Sequence, residues 1–206
     1  MISTKNELEF YMKADLIMNR GIEKLTFKNK VKNFIFKDHI MSYLITLRKY
    51  EYYSSKFSRV NQLRCLVSKI KLKYLGIKLG FSIEPNVFGY GLVLPHYGTI
   101  VVGKGNKIGN YAVIHTSTCI TAGTKIIGDA LYLSCGGKII KNIKLASNIT
   151  VGANSVVNHS FLEENIMIAG SPSIKIKKAD PWFIRDGKIF KERYDLCEEL
   201  RRGVLQ

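Results

Sequence analysis

Aliphatic residues recur every six positions through the middle of the chain. They fall at Val102, Ile108, Ile114 and Ile120, and after one extra residue they resume at Ile127, Leu133, Ile139, Leu145, Val151 and Val157. A period of six fits neither the 3.6 residues of a helical turn nor the two-residue repeat of a strand. It is typical of a parallel β-helix, in which each hexapeptide forms one flat face and a corner, and three faces close a turn.

Helical patterns precede the repeats. Thr4 and Glu7 have the spacing of a capping box and predict a helix that runs to about Asn19. Apolar residues at helical spacing predict two more helices, over about 28–53 and 58–76. These helices are expected to cap the exposed backbone edge at one end of the coil.

The repeats are expected to end near Leu162, and Asp180-Pro181 interrupts the chain before a final helix over about 189–202. The predicted fold class is therefore mainly β, a parallel β-helix of hexapeptide repeats with an N-terminal α-helical cap and a short C-terminal helix. The predicted units are a helical cap over 1–78, a β-helix over 79–178 and a C-terminal extension over 179–206.

The motifs and their order resemble the hexapeptide-repeat acyltransferases, whose coil is left-handed. The matching segments are Leu94-Pro95-His96-Tyr97-Gly98-Thr99-Ile100-Val101-Val102-Gly103, Ile108-Gly109-Asn110, Ile114-His115, Val151-Gly152-Ala153-Asn154-Ser155-Val156-Val157 and Ala169-Gly170-Ser171-Pro172. The likeness covers roughly residues 76–178. It is strongest to the branch that contains serine O-acetyltransferases and related enzymes of bacterial surface-polysaccharide clusters. The resemblance implies an acyl-CoA-dependent acyltransferase and a homotrimer with active sites between neighbouring subunits, and it leaves a dimer of trimers open.

The net charge and the composition restrict the chemical classes of partner that are expected. The net charge is +16, and residues 1–80 contribute 17 Lys or Arg against 6 Asp or Glu. Such a field favours anionic partners, among them acyl-CoA, an acidic glycan or an anionic membrane surface, unless it is only a compositional bias. No nucleic-acid-binding module accompanies the charge, so nucleic acid is not an expected partner.

The cysteines and the lack of a long apolar run indicate the cellular compartment in which the protein is expected. The four cysteines lack metal-ligand spacing, and Cys119 and Cys135 fall within hexapeptides, which predicts buried, reduced thiols. No apolar run approaches the roughly 20 residues of a membrane span, and no apolar leader is evident. The expected location is the cytoplasm, with peripheral association at the inner face of the membrane left open.

Two of the four histidines are candidates for the chemistry. Transfer of an acetyl group from a thioester to a hydroxyl requires a base, and a neutral imidazole suits that task. His96 and His115 are 19 residues apart and a turn takes about 18, which predicts that they lie on neighbouring turns. The resemblance implies that His96 is the catalytic histidine, although a simple turn residue is the alternative. His115 is either part of the catalytic or acceptor site or a polar corner residue.

The sequence constrains the acceptor substrate, and the carboxylate that would orient His96, less than it constrains the fold. The resemblance implies a carboxylate that orients His96, which Asp15 in the first helix or Glu84 could supply. In serine acetyltransferases an aspartate precedes the catalytic histidine and a later loop carries an Arg-His pair, whereas here Pro95 precedes His96 and Thr124 leads directly into the next repeat. These departures favour a sugar hydroxyl of a bacterial surface polysaccharide or its precursor, with L-serine as the alternative acceptor.

The resemblance also implies where acetyl-CoA, the acyl donor, is held. The implied contacts are Cys135, Ala153, Asn158, His159 and Gly170, with Lys175, Lys177 and Lys178 either near the nucleotide phosphates or on a solvated tail. No metal is expected, because His96 and His115 alone do not supply three ligands. The sequence therefore predicts an acetyl-CoA-dependent O-acetyltransferase, and a non-catalytic β-helix scaffold is the competing interpretation.

Overall fold

The computed structural model describes residues 2–22 and 38–204. The helices are α1 (Lys5–Arg20), α2 (His39–Ser54), α3 (Arg59–Leu79), α4 (Trp182–Arg185) and α5 (Lys188–Val204). The predicted capping box starts α1, since Thr4 Oγ1 accepts a hydrogen bond from the amide of Glu7 and the Glu7 carboxylate accepts one from the amide of Thr4. The part of the second predicted helix before residue 38 lies outside the described residues.

In the described ranges, thirteen strands, numbered in chain order, form three sheets. Sheet A contains β1 (Phe81–Ile83), β2 (Ile100–Val102), β5 (Thr118–Ile120), β8 (Lys138–Ile139) and β11 (Val156–Val157). Sheet B contains β3 (Lys107–Ile108), β6 (Ile126–Ile127) and β9 (Lys144–Leu145). Sheet C contains β4 (Val113–Ile114), β7 (Tyr132–Leu133), β10 (Ile149–Val151), β12 (Ile166–Gly170) and β13 (Ser173–Lys178). Because the chain visits the sheets in rotation, the result is a parallel β-solenoid of about 5 turns, which confirms the predicted fold class.

The six-residue repeat corresponds to the core of this coil. None of the ten aliphatic residues of the repeat, Val102, Ile108, Ile114, Ile120, Ile127, Leu133, Ile139, Leu145, Val151 and Val157, is more than 4% exposed. The residue after most of them is small, which allows successive turns to stack closely: a Cβ at Gly128 would lie 2.6 Å from the amide nitrogen of Ser147 on the next turn. A larger side chain there would push the two turns apart.

The coil continues beyond its predicted end near Leu162. In β12, Ile166 pairs with Ile149 and Ile168 pairs with Val151, in the same parallel register as the earlier turns. Both isoleucines are buried, so they extend the core by one more strand. The period of six fails here because the connections after Val157 have other lengths. The chain leaves the coil through the antiparallel hairpin of β12 and β13.

Helices cover one outer face of the coil. A second apolar cluster joins α1, α4 and α5 to the first turns of sheet C, through residues such as Phe10, Val113, Trp182 and Cys197. The indole of Trp182 donates to the carbonyl of Tyr111 at 2.9 Å. This packing fixes α4 against sheet C, next to the corner where the chain turns from sheet C to sheet A.

Candidate active site

His96 lies on an enlarged corner of the first turn. Val93 pairs with Val113 and Ile100 pairs with Thr118, so seven residue steps span this corner where five span the corner below it. The two extra residues make the corner protrude, and His96 is exposed to solvent there. The irregularity of the sequence between residues 94 and 101 therefore has a physical basis, namely a longer corner loop.

His115 follows β4 at the corresponding corner of the next turn. The ring centroids of His96 and His115 are 6.5 Å apart, as expected for residues on neighbouring turns. Burial lowers the pKa of His115 and the charge of the neighbouring His96 lowers it further, whereas Asp186 acts in the opposite direction. The neutral form of His115 is therefore favoured at neutral pH.

Tyr132 contacts His115, and Arg185 in turn contacts Tyr132. The Tyr132 hydroxyl lies 2.9 Å from Nε2 of His115, and the guanidinium of Arg185 lies over the Tyr132 ring at 4.5 Å. Arg185 also donates to Thr150 Oγ1 at 2.8 Å and pairs with Asp186. Burial, and then Asp186, raise the pKa of the Tyr132 phenol, so that it keeps its proton at neutral pH.

Sequence reasoning missed this support. The strand position of Tyr132 is taken by Val113 and Thr150 on the neighbouring turns, so an aromatic residue there is a weak signal. Arg185 lies outside the repeats and carried no signal at all.

Asp15 does not contact His96. Its carboxylate accepts hydrogen bonds from the Arg48 guanidinium at 2.8 and 3.3 Å and from the amide of Leu92 at 2.9 Å. Asp15, Arg48 and Glu51 are all buried, and Arg48 also donates to the carbonyl of Phe88. Burial alone would lower the pKa of Arg48, but Asp15 and Glu51 raise it above its ordinary value. The cluster thus links α1 and α2 to the first turn, and these contacts do not support the predicted orienting role of Asp15.

Three of the residues implied for CoA share the corner column of the histidines. Cys135 and Ala153 follow β7 and β10 at this corner, and Gly170, the last residue of β12, continues the column. The Thr116 hydroxyl lies 3.9 Å from Sγ of Cys135, which ties the turn of His115 to the turn below it. The prediction of a buried Cys135 is wrong: its thiol is exposed because the second residue after the core aliphatic lies at the corner. Cys119 is half-buried, and both thiols are free.

The other implied CoA residues lie apart from that column. Asn158 and His159 follow β11 at the corner after sheet A, where their side chains bond to each other at 3.0 Å. Lys175 pairs with Glu163. Lys177 and Lys178 line an open cavity of about 850 Å³ together with Arg185 and three acidic residues, Glu163, Glu164 and Asp180. Neither His96 nor His115 lines this cavity.

The described residues contain neither a candidate metal site nor a helix suited to span a membrane. No group of three or more His, Cys, Asp or Glu side chains there is placed to hold a metal ion. Within the same residues, no helix has the length and apolar character needed to cross a bilayer.

The sequence has curated relatives among serine acetyltransferases. The protein of Staphylococcus epidermidis is 31% identical over 139 residues, which cover 61% of this chain and 63% of the relative. The protein of Staphylococcus aureus is 30% identical over 123 residues, 56% of each chain. The chain therefore spans less than two thirds of the length of these relatives. No family model matches it.

Solved structures agree on the fold. A serine acetyltransferase in complex with CoA has a TM-score of 0.60 at 18% identity, covering 84% of this chain and 71% of its own. The chain therefore shares the β-solenoid fold of this enzyme. The serine acetyltransferase of Brucella abortus has a TM-score of 0.61 at 20% identity, covering 84% of this chain and 69% of its own. Assignment of the chain to a surface-polysaccharide branch of acyltransferases stays a prediction from the sequence.

Proposed function

We propose that the chain is an acetyl-CoA-dependent O-acetyltransferase with His96 as the general base. The observation that carries the proposal is the pairing of His96 with His115 on a corner column that continues through Cys135 and Ala153. An exposed imidazole can reach an acceptor hydroxyl, and the resemblance implies that the extended arm of CoA lies along the corner column beside it. The net charge of +16 favours an anionic donor such as CoA.

The reaction needs two proton transfers, one from the acceptor hydroxyl to His96 and one from His96 to the CoA thiolate. His96 takes the proton from the acceptor hydroxyl as its oxygen attacks the thioester carbonyl. The tetrahedral intermediate then collapses, the carbon–sulfur bond breaks, and the imidazolium of His96 returns the proton to the departing CoA thiolate. His115, favoured in its neutral form and held by Tyr132, is available to hydrogen-bond the acceptor.

L-serine is the acceptor that the relatives favour. The curated proteins that match the chain are named serine acetyltransferases, and no comparison supports a sugar acceptor. This reverses the order of preference from the sequence, in which the sugar hydroxyl came first.

A sugar hydroxyl remains the second candidate because of one specific feature. Serine brings a carboxylate, and the corner that replaces the Arg-His loop offers it little: the Lys125 side chain is buried, and its Nζ donates to the carbonyls of Thr121 and Ala122. An acceptor without a carboxylate avoids this requirement.

A single assay separates the candidates. The full chain would be incubated with acetyl-CoA and either L-serine or a panel of sugars and nucleotide sugars, while release of the CoA thiol is followed and the products are weighed by mass spectrometry. O-acetylserine supports the first acceptor, and an acetylated sugar supports the second. Absence of acetyl transfer to every acceptor, together with no acetyl-CoA binding by calorimetry, would favour a non-catalytic scaffold.

The predicted homotrimer is part of the same proposal, since the resemblance implies active sites between subunits. Light scattering on the purified chain tests it. A monomer at micromolar concentration contradicts it.

A further inference from the structure

Helix α3 has two apolar faces, and the described residues cover only one of them. Leu75, Gly76 and Leu79 are buried against the rest of the protein. On the opposite face, Val60, Leu63, Val67, Ile70, Tyr74 and Ile77 are between 56% and 76% exposed. Their spacing of three and four residues places them in one stripe that follows the 21-residue helix for about 30 Å. A continuous exposed stripe of this kind marks an interaction site.

The charges of α3 are all of one sign. The helix contains six Lys or Arg and no Asp or Glu. Arg64, Lys71 and Lys78 recur every seven residues along one border of the stripe, and Lys69 and Lys73 lie along the other. Because lysine and arginine stems can extend along apolar surface while the charged ends stay in water, both borders can reach an anionic plane while the stripe enters it.

These charges decide between two occupants. The three-four spacing also suits a helix from a second copy of the chain. Two α3 helices packed on their stripes, however, would bring only positive borders together, where paired helices normally place opposite charges. An anionic lipid surface satisfies the apolar stripe and both basic borders at once.

We infer that α3 docks on an anionic phospholipid surface, with its axis in the plane of the membrane and the stripe from Val60 to Ile77 in the interfacial layer. Phe57, 91% exposed just before the helix begins, extends the apolar surface at one end. The helix is suited to lie on the bilayer rather than to cross it, since charged residues interrupt its sequence throughout. The inference does not depend on the acetyl-transfer chemistry.

Vesicle co-sedimentation of the full chain tests the docking. The wild type is expected to pellet with vesicles of phosphatidylcholine and phosphatidylglycerol, to remain in solution with phosphatidylcholine alone, and to be released by salt. Leu63→Glu with Ile70→Glu should weaken partitioning by at least about tenfold, because each places a charge in the interfacial layer. Leu162→Glu is the control for adding a charge at an exposed apolar residue, since Leu162 lies on the coil and is 73% exposed.

A second set of variants isolates the electrostatic contribution. Lys71→Gln, Lys73→Gln and Lys78→Gln together should also weaken partitioning by at least about tenfold. The same change at Lys104, Lys107 and Lys144, three exposed lysines of the coil, should have a smaller effect. Circular dichroism and thermal unfolding would show that all variants are folded.

Three results would overturn the inference. One is a wild type that ignores anionic vesicles, and another is binding that the stripe variants leave unchanged. The third is a change in molar mass by light scattering in the stripe variants while vesicle binding persists, which would make the stripe an interface between copies of the chain.

Discussion

Nε2 of His115 lies 2.9 Å from the hydroxyl oxygen of Tyr132, one turn further along the coil. The hydrogen bond fixes the imidazole from one side while His96 lies 6.5 Å away, centroid to centroid, on the preceding turn. The candidate base therefore neighbours a histidine whose orientation is set by the fold.

Tyr132→Phe is expected to impair acceptor binding more than turnover. The variant keeps the ring beneath Arg185 and removes only the hydroxyl, and a hydrogen bond of this kind contributes about 0.5–1.5 kcal/mol. The acceptor KM should rise by about 2- to 10-fold with kcat within about twofold, measured by steady-state kinetics. Tyr194→Phe, whose ring stacks on Phe183, is the control. A fall in kcat at constant KM would contradict the positioning role.

Replacing His96 should lower the rate of acetyl transfer and leave the affinity for acetyl-CoA unchanged. We expect His96→Ala to lower kcat by about 10²–10⁴, because a general base contributes that much. The affinity for acetyl-CoA, measured by calorimetry, should stay within about twofold, since the base acts on the acceptor hydroxyl. His39→Ala, on α2, is the matched control for kcat, and retention of most activity by His96→Ala would refute the mechanism.

The two histidines should be coupled in titration. The charge of His96 is one cause of the lowered pKa of His115, so His96→Gln should raise that pKa toward the ordinary histidine value. Ring resonances followed by NMR against pH report it directly, with His115→Gln identifying the peak. The sign also predicts stability: the unfolded chain binds the proton more readily, so the wild type should lose free energy of unfolding as the pH falls below about 6.5. His115→Gln should lack that part of the loss.

Asp15→Asn should act on stability. Asp15→Asn removes one of the two carboxylates that pair with the buried Arg48 and leaves Glu51 as its remaining ionic partner, and breaking a buried pair typically costs about 3–5 kcal/mol. Urea unfolding measures the change. Asp195→Asn, which breaks the exposed pair with Lys191, should cost less than about 1 kcal/mol. A stable Asp15→Asn protein with a much reduced kcat would instead favour the orienting role predicted from the sequence.

The lysines of β13 should distinguish two forms of the donor. Replacing Lys175, Lys177 and Lys178 with Gln should weaken CoA binding by at least about tenfold if they contact the 3′-phosphate, since hydrogen bonds between charged groups are strong. Dephospho-CoA should lose less affinity, and calorimetry with both ligands measures the difference. Equal losses would show that these lysines do not read the phosphate. Lys188→Gln with Lys191→Gln, on α5, provides a control for net charge.

The coil could be predicted from the sequence because the pattern of residues that fills its core is local along the chain. Each turn needs aliphatic residues at fixed intervals, so Val102 to Val157 reveal the fold without knowledge of any distant contact. Where connection lengths vary, as between Val157 and Ile168, the core continues but the period does not. Pairing of β12 with β10 could therefore not be predicted from spacing.

Helix α3 and the contacts that support His115 show what else a sequence pattern does not predict. Leu63, Leu66, Ile70 and Tyr74 correctly predicted a helix, yet these residues are on its exposed face. Periodicity gives the faces of a helix but does not say which one the rest of the protein covers. Arg185 reaches Tyr132 only because α4 folds back onto sheet C, a contact between segments more than 50 residues apart that no local pattern encodes.

The packing of α5 on α1 has a consequence for the order of events during synthesis. Arg193 donates to the carbonyl of Met18 across 175 positions of sequence. When α1 leaves the ribosome its apolar face has no α5 to meet, whereas each turn of the coil can stack on the one before it as soon as it emerges. Contacts of such long sequence separation form late because closing the loop costs entropy. The covering of sheet C, and with it the placement of Arg185 beneath His115, is therefore completed last, after translation has passed α5.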